Sequence, residues 1–331
     1  MRCAYPWLSV AISCSIVYVP AMDPLGGLLD GPRAHRAFLV RSLLEPPWSI
    51  RIQDEAPLTL MAVVRGGAWI DCDGSAPRRL GRGDVAIARG PGHYTVRDDP
   101  GTPVQVLVHP GQICATPDGL EVPPIGSWGV RTWGNDPAGS TELITGTYQH
   151  QNEVSRRLLA ALPELLVLAA GSWDDQLVGY LAAQSTRDDP GQEAVLDRLL
   201  DVLLIGALRA WFARPEAAAP GWYRAQGDPA VGTAIRLMEA DPARGWSVAS
   251  LAAAAGMSRA GLARRFARLV GEPPMAYLTD LRLSLAADLL LEPRATLGAV
   301  ARRVGYGSPY ALSAAFKRQR GISPRAWVRA G

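Results

Sequence analysis

Hydrophobic positions along this chain follow two different periods. Between residues 35 and 110 they come in short runs, at 58–64, 68–72, 84–88, 94–96 and 104–108, divided by turn residues such as Arg65-Gly-Gly67, Asp73-Gly74 and Asp99-Pro-Gly101. Runs this short with such regular turns predict the antiparallel strands of a barrel or sandwich. Residues 111–146 are rich in Pro and Gly, and 144–148 predict one last strand returning to the barrel. From Asn152 the spacing turns helical, through Val154, Leu158, Leu159, Leu162 and Leu165, then 177–183, then the long stretch 192–213. That stretch is apolar on more than one face, which predicts burial against the barrel on one side and a dimer contact on another.

Near the C-terminus the chain repeats itself. Leu251-Ala-Ala-Ala-Ala-Gly-Met-Ser-Arg-Ala-Gly-Leu-Ala-Arg-Arg-Phe266 and the stretch from Val300 to Phe316 each read as a small-residue helix, a glycine turn, a serine cap and a second helix ending in Phe. This is the grammar of a helix-turn-helix, and Leu262/Leu312 and Phe266/Phe316 lie 50 residues apart. Gly256 and Gly305 supply the positive φ of the turns, and Ser258 and Ser308 cap the reading helices. Upstream, Asp228 caps and Pro229 opens a helix, and Ser247 caps the next. Residues 274–291 predict a single connecting helix with Tyr277, Leu278, Leu281, Leu285 and Leu289 on a continuous stripe, stopped by Glu292-Pro293.

With Leu262, Phe266 and Leu269 set inward, a rotation of about 100° per residue turns Ala260, Ala263, Arg264, Ala267 and Arg268 outward, toward a major groove. Arg264 points most directly out and is the expected base reader, with guanine its target. Arg259, Arg265 and Arg268 flank it as expected phosphate contacts. On the second helix Tyr310, Ser313, Ala314 and Lys317 face out. Tyr310 and Ser313 are expected at base edges and Lys317 on phosphate, with specificity weighted toward the first helix.

Charge divides along the same boundary. Residues 228–331 hold 15 Arg/Lys against 7 Asp/Glu, whereas 1–227 hold 19 against 24. A basic end on a mildly acidic body is the electrostatic footprint of a nucleic-acid head joined to something else. Cysteines 3, 14, 72 and 114 have neither metal-ligand nor disulfide-framework spacing, which fits a reducing cytoplasm. Residues 7–20 form an apolar run after a single Arg2 and superficially resemble a signal peptide. Secretion would contradict a DNA-binding head. The expectation is that Met22 is the natural start and 1–21 a non-native extension, the alternative being a disordered or loosely docked one. No other apolar run approaches the length needed to span a bilayer.

The pattern Arg302-Arg-Val-Gly-Tyr-Gly-Ser, followed by Ala315-Phe-Lys-Arg318 and Gly321-Ile-Ser-Pro-Arg-Ala-Trp327, resembles the signature of the AraC/XylS-type transcription regulators. Met22-Asp-Pro-Leu, Pro46-Pro-Trp48, Asp54-Glu-Ala-Pro57, Gly83-Asp84 and Val130-Arg-Thr-Trp-Gly134 resemble the cupin-type sensor domain of one subgroup. The resemblance implies an α+β chain: an extension at 1–21, a cupin-like sensor domain at 22–150, a helical dimerisation segment at 151–214, a linker at 215–227, and an all-α DNA-binding domain with two helix-turn-helix motifs at 228–331. It implies a dimeric regulator whose partners are double-stranded DNA, a small effector in the barrel and RNA polymerase. Leu312 and Ala314 depart from the Phe and Arg of many relatives, which weakens the second head's expected base contact. Trp48, Trp69, His93, Tyr94 and Trp133 are candidates for a ligand pocket, with core packing the competing role for the aromatics. Pro91-Gly-His93 resembles one cupin metal motif. The His-x-His of the other is missing, so no metal, cofactor or catalytic residue is expected. Two further readings are a cupin-type isomerase or dioxygenase fused to a DNA head, and a constitutive DNA binder with a scaffold barrel.

Overall fold

A computed structural model of the chain describes residues 38–120, 129–148, 158–217, 219–292 and 294–330. The expectations for 1–21 and for the helical turn at Val154 lie outside these residues. Twelve strands are described: β1 (Phe38–Leu44), β2 (Ser49–Ile52), β3 (Leu58–Arg65), β4 (Gly67–Cys72), β5 (Arg78–Gly81), β6 (Val85–Arg89), β7 (Tyr94–Arg97), β8 (Val106–His109), β9 (Ile113–Ala115), β10 (Thr132–Gly134), β11 (Thr141–Tyr148) and β12 (Leu165–Leu168). They form two sheets, in the orders β10-β1-β11-β3-β6-β12 and β5-β4-β7-β2-β8-β9. Most pairs are antiparallel, while β1–β10 and β2–β8 run parallel. Alternation sets the inner face. On β4, Ala68, Ile70 and Cys72 are buried while Trp69 lies on the opposite side.

One sequence expectation fails here. Leu165, placed on a helix by its spacing from Leu158, Leu159 and Leu162, begins β12 and pairs with Ala88 of β6. Pro163 interrupts helical continuation, and the run Leu-Leu-Val-Leu fits a strand buried on both sides as well as it fits a helix turn. Two helices then cover the first sheet, α1 (Gln176–Ser185) and α2 (Gln192–Phe212). Leu200, Leu203, Leu204, Ala207 and Leu208 of α2 share a core with Leu58, Leu60, Val85 and Ile87 of the sheet.

The segment expected to be a linker is folded. It makes a 3-10 turn at Pro215–Ala217, the short helix α3 (Gly221–Arg224) and a second turn at Ala225–Gly227. Trp222 and Ala225 are buried in the core of the following domain. Tyr223 packs against the core on each side. Pro and Gly here serve close packing rather than slack. A Cβ on Gly221 would lie 2.5 Å from the Val270 carbonyl oxygen.

The C-terminal domain comprises α4 (Pro229–Ala240), α5 (Val248–Ala254), α6 (Arg259–Val270), α7 (Pro274–Leu291), α8 (Leu297–Arg303), α9 (Pro309–Arg320) and α10 (Pro324–Ala330). It has two cores, one holding Ile235, Leu251, Leu262 and Phe266, the other Val300, Leu312 and Phe316. Helix α7 serves both. Its first half buries Tyr277 and Leu278 in the first core, and its second half buries Leu283, Ala286, Ala287 and Leu290 in the second. Of the predicted stripe, Leu281, Leu285 and Leu289 do pack against these cores but are only partly buried, so the stripe is not the whole of the buried surface. Among the described residues, no helix is long and apolar enough to cross a membrane.

Candidate nucleic-acid interface and effector cavity

The two helix-turn-helix units are built alike. Gly256 (φ 66°) and Gly305 (φ 80°) reverse the chain. Each turn is closed by the following N–H, with Met257 donating to Ala252 O at 2.9 Å and Tyr306 to Ala301 O at 2.8 Å. The Gly261 N–H donates to Ser258 Oγ and the Ala311 N–H to Ser308 Oγ, both at 3.1 Å, so one of the orphan donors at each helix start is satisfied. Inside, Phe266 meets Tyr277 edge-on at 5.7 Å, and Phe316 meets Trp327 at 5.8 Å. Tyr277 donates through its hydroxyl to Glu239 Oε1 (2.7 Å), and Trp327 through Nε1 to Ala287 O (3.2 Å). Tyr277, buried, and Trp327, half-buried, have their polar tips satisfied and hold the second helix of each unit at a defined angle.

The outer faces differ in chemistry. On α6, Ala260, Arg264, Ala267 and Arg268 are exposed, Ala263 is half-buried, and Leu262 and Phe266 are fully buried. Arg259, Arg264 and Arg268 make no ion pair among the described residues. Arg265 is different: its Nε and Nη2 donate to Asp228 Oδ2 at 2.7 and 2.6 Å. The other oxygen of Asp228 accepts from the Ala230 and Val231 N–H groups at 3.1 and 3.0 Å, capping α4. Arg265 and these backbone donors hold the Asp228 carboxyl below its ordinary range. The expected phosphate contact at Arg265 is thus occupied by an internal partner. On α9, Tyr310 is 86% exposed. Ala314 and Lys317 are exposed as well, and Ser313 is half-buried.

Between the sheets lies a cavity of about 300 Å³. Register arranges its walls. Ile52 of β2 stands beside Tyr94 and Val108, while Val40 of β1 stands beside Thr145, which faces Met61. Asp54 and Gln112 line the cavity where β2 and β8 end, joined by Gln112 Nε2 donating to Asp54 Oδ2 at 3.3 Å. Burial raises the Tyr94 phenol well above its ordinary value, and it stays neutral. Among the described residues no cluster of His, Cys, Asp and Glu could hold a metal ion.

Comparison with known proteins fits both halves of this arrangement. Residues 23–213 match the cupin family and residues 251–330 the helix-turn-helix domain family. Proteins from Streptomyces lividans and Streptomyces antibioticus, each described as an AraC-like transcription regulator, are 33% identical over 309 residues, covering 92% of this chain and 97% of theirs. The HTH-type transcriptional regulator MtrA of Neisseria gonorrhoeae is 30% identical over 317 residues, covering 94% of this chain and 99% of its own. The chain belongs to the AraC-type transcription regulators. It is a DNA-binding regulator of transcription with an α+β fold, a cupin domain preceding a helical DNA-binding domain.

In this AraC-type regulator the residues expected on the outer faces do lie together on α6 and α9, with Arg265 exposed but tied to Asp228. The expected pocket residues do so only in part. Of Trp48, Trp69, His93, Tyr94 and Trp133, Tyr94 and Trp133 line the cavity. Trp48 is buried in the packed part of the barrel, and strand alternation turns Trp69 away from the interior. His93 precedes β7 and does not line the cavity. Aromatic character alone was an incomplete signal. The better one was the alternation Ile50, Ile52, Asp54, legible once 49–52 is taken as a strand.

Proposed function

We propose that this AraC-type regulator is a cytoplasmic homodimer that reads double-stranded DNA with α6 and α9 of each subunit, and that a small molecule in the barrel cavity alters how the paired heads engage a promoter. The observation that carries this reading is the two-sidedness of α6. Leu262 and Phe266 are sealed in the core while Arg259, Arg264 and Arg268 face out, with no ion pair among the described residues, beside small alanines. Small residues allow close approach to the groove, and free guanidinium groups supply readout and phosphate contact.

In this reading Arg264 contacts guanine, and Ala260 and Ala263 let the helix descend. Arg259 and Arg268 hold phosphates. On α9, Tyr310 and Ser313 lie at base edges and Lys317 at phosphate. The 18 residues of α7 span about 27 Å. That length suits reading helices set in successive major grooves, about 34 Å apart. The exposed apolar positions Val195 and Val202 of α2 supply the dimer face. The folded linker carries the signal. Phe212, at the end of α2, touches Tyr223 (4.9 Å between ring centres) and Trp222 (6.4 Å), and Gly221 packs on the end of α6. RNA polymerase is the partner through which promoter engagement acts, and no enzymatic step is assigned to the barrel.

Footprinting on promoters recovered by genome-wide mapping tests the core of the proposal. Each subunit should protect two major-groove segments on one face of the duplex, and no protection on any recovered promoter would refute it. Thermal-shift screening with and without that DNA tests the effector, because a ligand that binds the folded state must raise its stability.

A further inference from the structure

The cavity wall is apolar for most of its area yet incompletely filled. Val40, Ile52 and Thr145 point inward from three strands and remain only half-buried, whereas inward residues elsewhere in the barrel, such as Val63 and Ile70, are almost fully buried. Apolar surface left facing an internal space favours an apolar occupant. Among the described residues two charged side chains line the wall, and they are disposed differently. Arg131 turns its guanidinium to the Arg187 carbonyl oxygen (3.3 Å) and to Glu193 (4.0 Å). Asp54 follows Ile52 by two residues and so continues the inward alternation of β2. Its carboxylate accepts from neutral donors, the Ala56 N–H at 3.2 Å and Gln112 Nε2 at 3.3 Å, and makes no ion pair among the described residues. A carboxylate has about four lone-pair sites, so acceptor capacity remains. A partly desolvated anion beside apolar walls gains most from a cationic donor.

We infer that the effector is an apolar molecule carrying one amine, its hydrocarbon part between the walls of Val40, Ile52 and Met61 and its ammonium group on Asp54. An acidic head is disfavoured by the same carboxylate, and a neutral hydroxyl forms only the weaker, uncharged hydrogen bond. The inference rests on the proposed effector role of the cavity, and its test keeps the two separable.

Decylamine, decanol and decanoate share one chain length and differ only in head group. Their Kd values, measured by titration calorimetry on the full chain below micelle-forming concentrations, should place decylamine about tenfold or more tighter than decanol, with decanoate weakest. Asp54→Asn keeps an oxygen to accept from the Ala56 N–H and removes the charge, an amide NH2 replacing the oxygen that accepts from Gln112 Nε2. It should bring decylamine to the level of decanol while leaving decanol unchanged. Thr145→Trp, which fills the cavity, should abolish binding of both while the unliganded protein still melts cooperatively. Equal affinity of decylamine and decanol for the unaltered protein, or an amine advantage that survives Asp54→Asn, overturns the amine assignment and leaves the apolar cavity standing. Failure of all three probes to bind overturns both.

Discussion

Arg264 and Arg265 are adjacent in sequence and alike in chemistry, and the fold separates their tasks. Arg264 is exposed and unpaired among the described residues, so Arg264→Ala should cost about 1–3 kcal/mol on the cognate site and relax preference at one base pair. Binding to a library of single-base operator variants checks this, and uniform weakening would reassign Arg264 to phosphate. Arg265 is held by Asp228, so Arg265→Ala should weaken DNA binding by loosening α6 while leaving the slope of log K against log salt unchanged. Arg259→Ala and Arg268→Ala should each lower that slope by about 1. Asp228→Asn separates the cap from the ion pair, because an asparagine oxygen can still accept from Ala230 and Val231. The native carboxyl is held below its ordinary value. Its contribution is therefore fully present above the unfolded carboxylate range and lost as pH falls through the depressed folded value. Acid titration of Tm should show a shallower decline for Asp228→Asn than for the unaltered protein. The rotation per residue foretold that Arg264 would face out. The capture of Arg265 by a residue 37 positions away was not legible, because an ion pair across elements depends on where α4 settles against α6.

The two helix-turn-helix units repeat one local program, but their turns meet different neighbours. A Cβ at Gly256 has open space around it, whereas at Gly305 it would lie 2.6 Å from the Ala243 carbonyl oxygen. Gly256→Ala should therefore cost about 1 kcal/mol, the penalty of positive φ alone. Gly305→Ala adds a clash with rigid backbone and should cost about 2 kcal/mol or more. Chemical denaturation of both variants checks the order, and equal losses would place the Gly305 turn away from the loop before α5. Helix starts, glycine turns and the extent of α7 were all readable, since caps and breakers act on adjacent residues. The way α7 buries different sides in its two halves was not, because two cores approach it from different directions. For the same reason the spacing of Leu158, Leu159, Leu162 and Leu165 could not decide between helix and strand. Pairing with β6 did.

At the scale of the molecule, an acidic cupin domain with an apolar-walled cavity is joined to a basic head through packed aromatics rather than a slack tether. Phe212, Trp222 and Tyr223 place the end of α2 against the start of the DNA-binding domain, so a change in the barrel has a mechanical route to α6. The face of α2 that carries Val195 (41% exposed) and Val202 (45%) is left uncovered by the subunit's own core. If α2 carries the proposed dimer face, Val202→Asp should dissociate the pair and weaken promoter binding, yet leave the monomer's stability within about 0.5 kcal/mol because the position is exposed. Sedimentation velocity with a parallel melt checks both, and a dimer that persists would move the interface elsewhere.

Local rules in the chain were enough to specify an α+β protein with a basic, doubly repeated helical end and to identify the outward face of its first reading helix. Caps, turns and periodicity act over a few residues and need no knowledge of the rest. The cavity, the Arg265–Asp228 pair and the packed linker arise only when distant segments meet. Strand register across two sheets gathers Asp54, Gln112 and Tyr94, residues whose separations in sequence carry no trace of their proximity. Contact at that range follows from how the elements pack, and packing is settled by the whole fold at once.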